Sequence, residues 1–184
     1  KRKYTTYEYI KLEVEILMIG REKELAQIEN LYNRDCFEFL VMYGRRRVGK
    51  TTILQEFSDR HRVIFYSAQE KNDSLNLQDF SRTVQQYFDG RFIAPFQTWE
   101  DAFAYVTDHS GNERTMIIID EFPFMAGPNP SIKSMLQHEI DHKWKKQNIF
   151  LLLCGSSVSF MVNDIMGYES PLYGRKTSSM EVQP

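Results

Sequence analysis

The octapeptide Gly44-Arg45-Arg46-Arg47-Val48-Gly49-Lys50-Thr51 satisfies the pattern G-x-x-x-x-G-K-S/T without a mismatch. No other feature restricts the possible folds as much, because this pattern works only where a strand ends and a helix begins. Both neighbours are present. Phe37 to Tyr43 is an apolar run of strand length, and Thr51 to Arg60 carries helical periodicity. Gly44 and Gly49 reach backbone angles closed to other residues, so successive amide N–H groups converge on one concavity. The helix opening near Lys50 adds its positive dipole end, which makes the bend a cradle for phosphates. Lys50 is then a flexible point charge for β- and γ-phosphates, and the Thr51 hydroxyl is a ligand for Mg²⁺. Residues 44–52, Val48 and Thr52 included, form the expected nucleotide-binding stretch. Arg45, Arg46 and Arg47 stay open to three readings: they raise the local potential, reach a neighbouring molecule, or stand solvated on a loop whose main chain binds.

The remainder alternates short apolar runs with amphipathic stretches. Further candidate strands are Val63 to Ser67, Met116 to Asp120, Ile149 to Cys154 and, more weakly, Ser178 to Val182. Helical patterns cover Leu75 to Phe88, Thr98 to His109 and Ile132 to Lys146, and Leu25, Ile28, Leu31 and Tyr32 recur at helical spacing before the first strand. The strands carry few polar residues, as expected where helices cover both faces of a sheet. This alternation predicts an α/β chain with βαβ units and a doubly wound, mostly parallel sheet. Ser67 to Ser74 and Pro123 to Pro130 read as loops. Near the front, Ile10 to Ile16 alternates apolar and charged residues like a half-buried strand. Met18 is a natural start, so residues 1–17 are expected to be an extension or foreign segment and residues 18–184 the main domain.

Composition narrows the function. With 23 Lys+Arg against 25 Asp+Glu the net charge is −2, which argues against a domain devoted to electrostatic capture of nucleic acid. A chain of 184 residues can bury a core without disulfides or a structural metal. No apolar run approaches the roughly 20 residues of a membrane helix, so no membrane partner is expected. Lys1 to Tyr9 is charged and polar where a secretory signal would turn apolar. The two cysteines, Cys36 and Cys154, form neither metal spacing nor disulfide framework, and a cytoplasmic setting is expected.

Beyond the phosphate cradle, Met116-Ile117-Ile118-Ile119-Asp120-Glu121 is an apolar strand ending in two acids. In a parallel sheet ligands lie past the carboxyl ends of the strands, where these acids face the cradle. Asp120 then holds Mg²⁺, directly or through water, and Glu121 orients and deprotonates the attacking water. The strand Ile149 to Cys154 runs into Gly155-Ser156-Ser157. Ser156 either touches the γ-phosphate or water, or caps a helix. Arg175, in Ser170-Pro171-Leu172-Tyr173-Gly174-Arg175-Lys176, either stabilises transition-state charge in its own subunit or a neighbour's, or is a surface residue of a turn.

Taken in order, these pieces resemble the archaeal ATPase family of P-loop ATPases, relatives of AAA+ proteins and of the signal-transduction ATPases with numerous domains (STAND). The resemblance runs through Ile19-Gly20-Arg21-Glu22-Lys23-Glu24-Leu25, the phosphate loop, Ile119-Asp120-Glu121-Phe122, Cys154-Gly155-Ser156-Ser157 and Pro171-Leu172-Tyr173-Gly174-Arg175-Lys176-Thr177. It implies a P-loop NTPase sheet in the order 5-1-4-3-2, ATP with Mg²⁺, and Glu121 as base. It further implies that Ile19 to Arg21 lies against adenine and that Ser156 and Arg175 act as phosphate sensor and arginine finger. Such proteins continue into a helical lid and often a further domain, which is expected to choose a partner protein, a homo-oligomer or nucleic acid.

One motif competes. His138-Glu139-Ile140-Asp141-His142 matches H-E-x-x-H, in which two histidines on adjacent turns grip zinc. The apolar face formed by Ile132, Met135, Leu136, Ile140 and Trp144 points both histidines away from the core, which favours a surface helix. The expected activity is therefore ATP hydrolysis with Mg²⁺ coupled to a further domain. The alternative is a slow-hydrolysing, nucleotide-dependent switch. A GTPase is disfavoured because no N/T-K-x-D follows the loop, and a small-molecule kinase because no arginine-bearing lid is evident.

Overall fold

The computed structural model describes residues 20–184, so the expected strand at 10–16 and residue Ile19 lie outside the described part. Five strands, β1 (Glu38–Tyr43), β2 (Ile64–Ser67), β3 (Thr115–Asp120), β4 (Ile149–Gly155) and β5 (Ser178–Glu181), form one sheet. Every pairing is parallel and the order is β2-β3-β4-β1-β5, the expected 5-1-4-3-2 read from the other edge. Among the described residues six α-helices accompany them, α1 (Glu22–Tyr32), α2 (Lys50–Arg60), α3 (Asp73–Asp89), α4 (Trp99–His109), α5 (Pro123–Ala126) and α6 (Ser131–His142), with a π-helix at Phe160–Ile165.

The central strands β1, β3 and β4 are mostly apolar because alternate residues face different layers of helices, whereas the edge strand β5 is mostly polar. Phe39 and Val41 of β1 join Phe80 and Val84 of α3, Phe103 and Val106 of α4 and Leu136 and Ile140 of α6 in one cluster. Leu40 and Met42 turn the other way, into a cluster with Ile28 and Leu31 of α1 and Ile53, Leu54 and Phe57 of α2. Helix starts follow local chemistry. The side chain of Asn72 accepts from the amide of Leu75 ahead of α3, and that of Thr98 accepts from Asp101 ahead of α4.

Two expectations need correction. Pro123 to Pro130 is not all loop, since Pro123–Ala126 forms α5; proline at a first helical position loses no hydrogen bond there. Ile132 to Lys146 is not one helix either. It breaks at Lys143 and resumes as a short 3₁₀ turn, Trp144–Lys146, that sets Trp144 into the core. Among the described residues no helix is long and apolar enough to cross a membrane.

Candidate functional site

At the carboxyl end of the sheet, β1 and β3 stand on either side of β4 and deliver their loops to one cleft of about 570 Å³. The first loop, 44–49, leaves β1 at Gly44. A Cβ there would lie 2.4 Å from the carbonyl oxygen of Val182, so only glycine lets the chain pass the end of β5. Gly49 caps α2 with a left-handed φ of 87°, which turns the loop amides toward the helix axis. Lys50 is only 5% exposed, and its Nζ donates to the carbonyl oxygens of Gly44 at 2.8 Å and Arg45 at 2.9 Å. The ammonium group is thus held by the rim of the loop it serves. From outside, Arg21 braces the same loop: its guanidinium donates to the Val48 carbonyl at 2.9 Å and pairs with Glu24.

The Thr51 hydroxyl donates to Asp120 Oδ2 at 2.8 Å, and Asp120 Oδ1 accepts from the Glu121 amide at 3.0 Å. Asp120 is 1% exposed at the end of β3, beneath the loop. Burial of Cys154 itself, and then the negative charge of the neighbouring Asp120, push that thiol up, which keeps the cysteine protonated. Two hard oxygens at this separation are about as far apart as adjacent corners of a Mg²⁺ octahedron with bonds of about 2.1 Å. The residues present therefore fit that ion.

Glu121 adopts a positive φ of 51°, an uncommon conformation for a residue with a side chain. The turn brings its carboxylate across to β4, where Oε2 accepts from the Ser156 amide at 3.1 Å and the Ser156 hydroxyl at 2.9 Å. Gly155 permits this approach, since a Cβ on it would meet Met161 at 2.7 Å and Pro123 at 2.9 Å. Lys50, Thr51, Thr52, Glu121 and Ser156 all line the cleft, as do Arg46 and Arg47.

Arg175 is placed elsewhere. Thr177 bonds Phe39 near the start of β1, so Arg175 lies at the amino end of the parallel strands, opposite the phosphate loop. There its Nε and Nη2 donate to Asp141 of α6, and the guanidinium holds that carboxyl below the usual range. The structure contradicts a contact between Arg175 and the cleft of its own chain; the physical reason is the parallel direction of β5. The H-E-x-x-H motif forms no metal centre among the described residues. Its two histidines, His138 and His142, are exposed with ring centroids 4.5 Å apart, but Glu139 is buried against Thr107 and Lys143.

Sequence reasoning missed the floor of the cleft. Gln69, Glu70 and Phe124 line it, and the fully buried Asn76 ties them down. Its side chain accepts from the Gln69 amide and the Tyr66 hydroxyl and donates to the carbonyls of Gln69 and Phe124. An asparagine at helical spacing with the apolar Leu77, Phe80 and Val84 was the available signal, although Ser81 and Gln85 are buried on the same helix.

Residues 18–184 match the family described as an ATPase domain predominantly from Archaea. The chain belongs to this family. The archaeal ATPase domain is 34% identical over 168 residues to the uncharacterized protein MJECL04 of Methanocaldococcus jannaschii, covering 91% of this chain and 36% of that protein. Among solved structures it is similar to the Walker-type ATPase PABY2304 of Pyrococcus abyssi, with a TM-score of 0.65 and 20% identity over 90% of this chain and 53% of that one. It is also similar to the ORC1 protein of Aeropyrum pernix, solved in complex with DNA, with a TM-score of 0.57, 16% identity and coverages of 90% and 45%. At these identities the structural likeness shows the shared P-loop NTPase fold. The chain spans about a third of MJECL04 and about half of the two solved proteins.

Proposed function

We propose that this ATPase domain hydrolyses ATP to ADP and phosphate with Mg²⁺, using residues 44–52 as the triphosphate cradle. The observation that carries the reading is the convergence of Lys50, the Thr51–Asp120 pair and Glu121 on one cleft. Loop amides and Lys50 hold the β- and γ-phosphates; Thr51 and Asp120 would hold Mg²⁺, which supplies charge neutralisation there when bound. Glu121 takes the proton of the attacking water through the oxygen that Ser156 leaves free, and Ser156 keeps the carboxylate aimed. Arg21 supports the loop behind the nucleotide. Arg175, held at the other end of the sheet, serves a neighbouring subunit if it serves any. The cycle drives a further domain, partner protein or homo-oligomer, with nucleic acid reached only through such a domain. Two free cysteines, one exposed and one buried, suit a cytoplasmic setting.

Equilibrium binding and single-turnover phosphate release test this reading. ATP should bind and be cleaved with Mg²⁺ present, and EDTA should remove cleavage. Absence of nucleotide binding in either condition would overturn it.

One observation favours the alternative of a slow-hydrolysing switch: both Ser156 donors occupy the base that would act. The two readings diverge in Ser156→Ala. Loss of one hydrogen bond to a charged group, about 1.5–3 kcal/mol, should slow turnover about 10- to 100-fold with little change in ATP affinity. Faster turnover would instead mark Ser156 as a restraint and favour the switch.

A further inference from the structure

The cleft lining contains three cations, Arg46, Arg47 and Lys50, against two carboxylates, Glu70 and Glu121. Lys50 is buried on the loop carbonyls, but Arg46 and Arg47 are exposed. Among the described residues neither takes part in an ion pair. Arg21 and Arg175, in contrast, are each committed to a carboxylate. Arg45 carries the same charge on the same loop yet does not line the cleft. Arg47 takes a left-handed φ of 66°, a conformation that non-glycine residues rarely hold and that clusters at functional sites. Both arginines line the same cleft as Glu121 and Ser156.

We infer that Arg46 and Arg47 supply, from the phosphate loop itself, the guanidinium charge that stabilises the γ-phosphoryl group in the transition state. This rests on the hydrolase reading above and adds to it a catalytic role for two side chains. In the step, the water oxygen forms a bond to the γ-phosphorus as the bond from that phosphorus to the β–γ bridging oxygen breaks. Its electron pair stays on ADP, and the water proton passes to Glu121. The guanidiniums remain protonated throughout. Charge spreads over the three non-bridging γ-oxygens, and a planar fork of N–H donors fits them better than an ammonium does. Because the chain carries its own arginines in the same cleft as Glu121, a neighbouring subunit is not needed to complete the charge.

The experiment uses the full-length protein with Arg46→Ala, Arg47→Ala, the double alanine variant, the double lysine variant, and the exposed Arg91→Ala as a charge control. Single-turnover phosphate release, ATP and ADP affinities and trapping of ADP with fluoroaluminate are measured for each. Arginine fingers contribute roughly 10³–10⁵-fold, so the double alanine variant should lose at least about 100-fold in rate and fail to trap fluoroaluminate. Its ADP affinity should stay within about fivefold of the parent, and lysine should restore only a small part of the rate. Arg91→Ala should match the parent. An unchanged rate in the double alanine variant, or a rate loss fully accounted for by weaker ATP binding, overturns the inference. A parent protein that binds no nucleotide overturns the hydrolase reading as well, so the two failures are distinguishable.

Discussion

Replacement of Lys50 by alanine should lower ATP affinity or turnover by about 100-fold or more while leaving the fold intact. The ammonium group bridges the carbonyls of Gly44 and Arg45. Both carbonyls lie on the loop rim, beside a cleft where water can take over the lost bonds. Stability therefore changes little, and the loss appears where the ammonium group meets phosphate. Charge-assisted hydrogen bonds contribute about 1.5–3 kcal/mol each, so two of them correspond to about 10²-fold or more. Arginine should not rescue the site, because a planar guanidinium fork does not reproduce the compact ammonium that donates to the Gly44 and Arg45 carbonyls. Isothermal titration with ATP and a thermal melt check both halves of the prediction. Parental affinity and rate in Lys50→Ala would remove this residue from the site.

The second large effect is expected at Glu121. Glu121→Gln retains an oxygen that can accept from the Ser156 amide and hydroxyl, so the turn at positive φ and the shape of the cleft should survive. What disappears is the capacity to take a proton. General-base catalysis is worth about 10²–10⁴-fold, and single-turnover hydrolysis should fall by that amount while ATP still binds. Accumulation of a stable ATP complex is the readout. Undiminished hydrolysis in this variant would assign the base elsewhere.

Particular residues show why some of this was legible in advance. Four apolar runs and the weaker candidate at Ser178 to Val182 became five parallel strands. A sheet covered on both faces leaves little room for polar side chains, as β3 and β4 illustrate by being wholly buried, whereas β5 at the edge keeps its serines. The phosphate loop was legible because its chemistry is local: glycines at fixed spacing, a lysine, a hydroxyl and the first turn of a helix. Element ends were less so. Pro123–Ala126 and the break at Lys143 depend on what α5 and α6 pack against, and no window of sequence contains that partner.

The long-range pairings were beyond reach for the same reason. Ser156 meets Glu121 across 35 positions, Thr51 meets Asp120 across 69, and Arg175 is drawn to Asp141 across 34. Residue types alone left Arg175 open as either a transition-state group or a surface residue of a turn. The direction of β5 carried it to the far end of the sheet, whereas Arg46 and Arg47 line the cleft that Glu121 also lines. The sequence by itself determined the layered parallel architecture and the anion cradle, because both arise from periodicity and from contacts within a few residues. Only the tertiary structure decided which distant side chains share the cleft, because strand order and direction govern those distances.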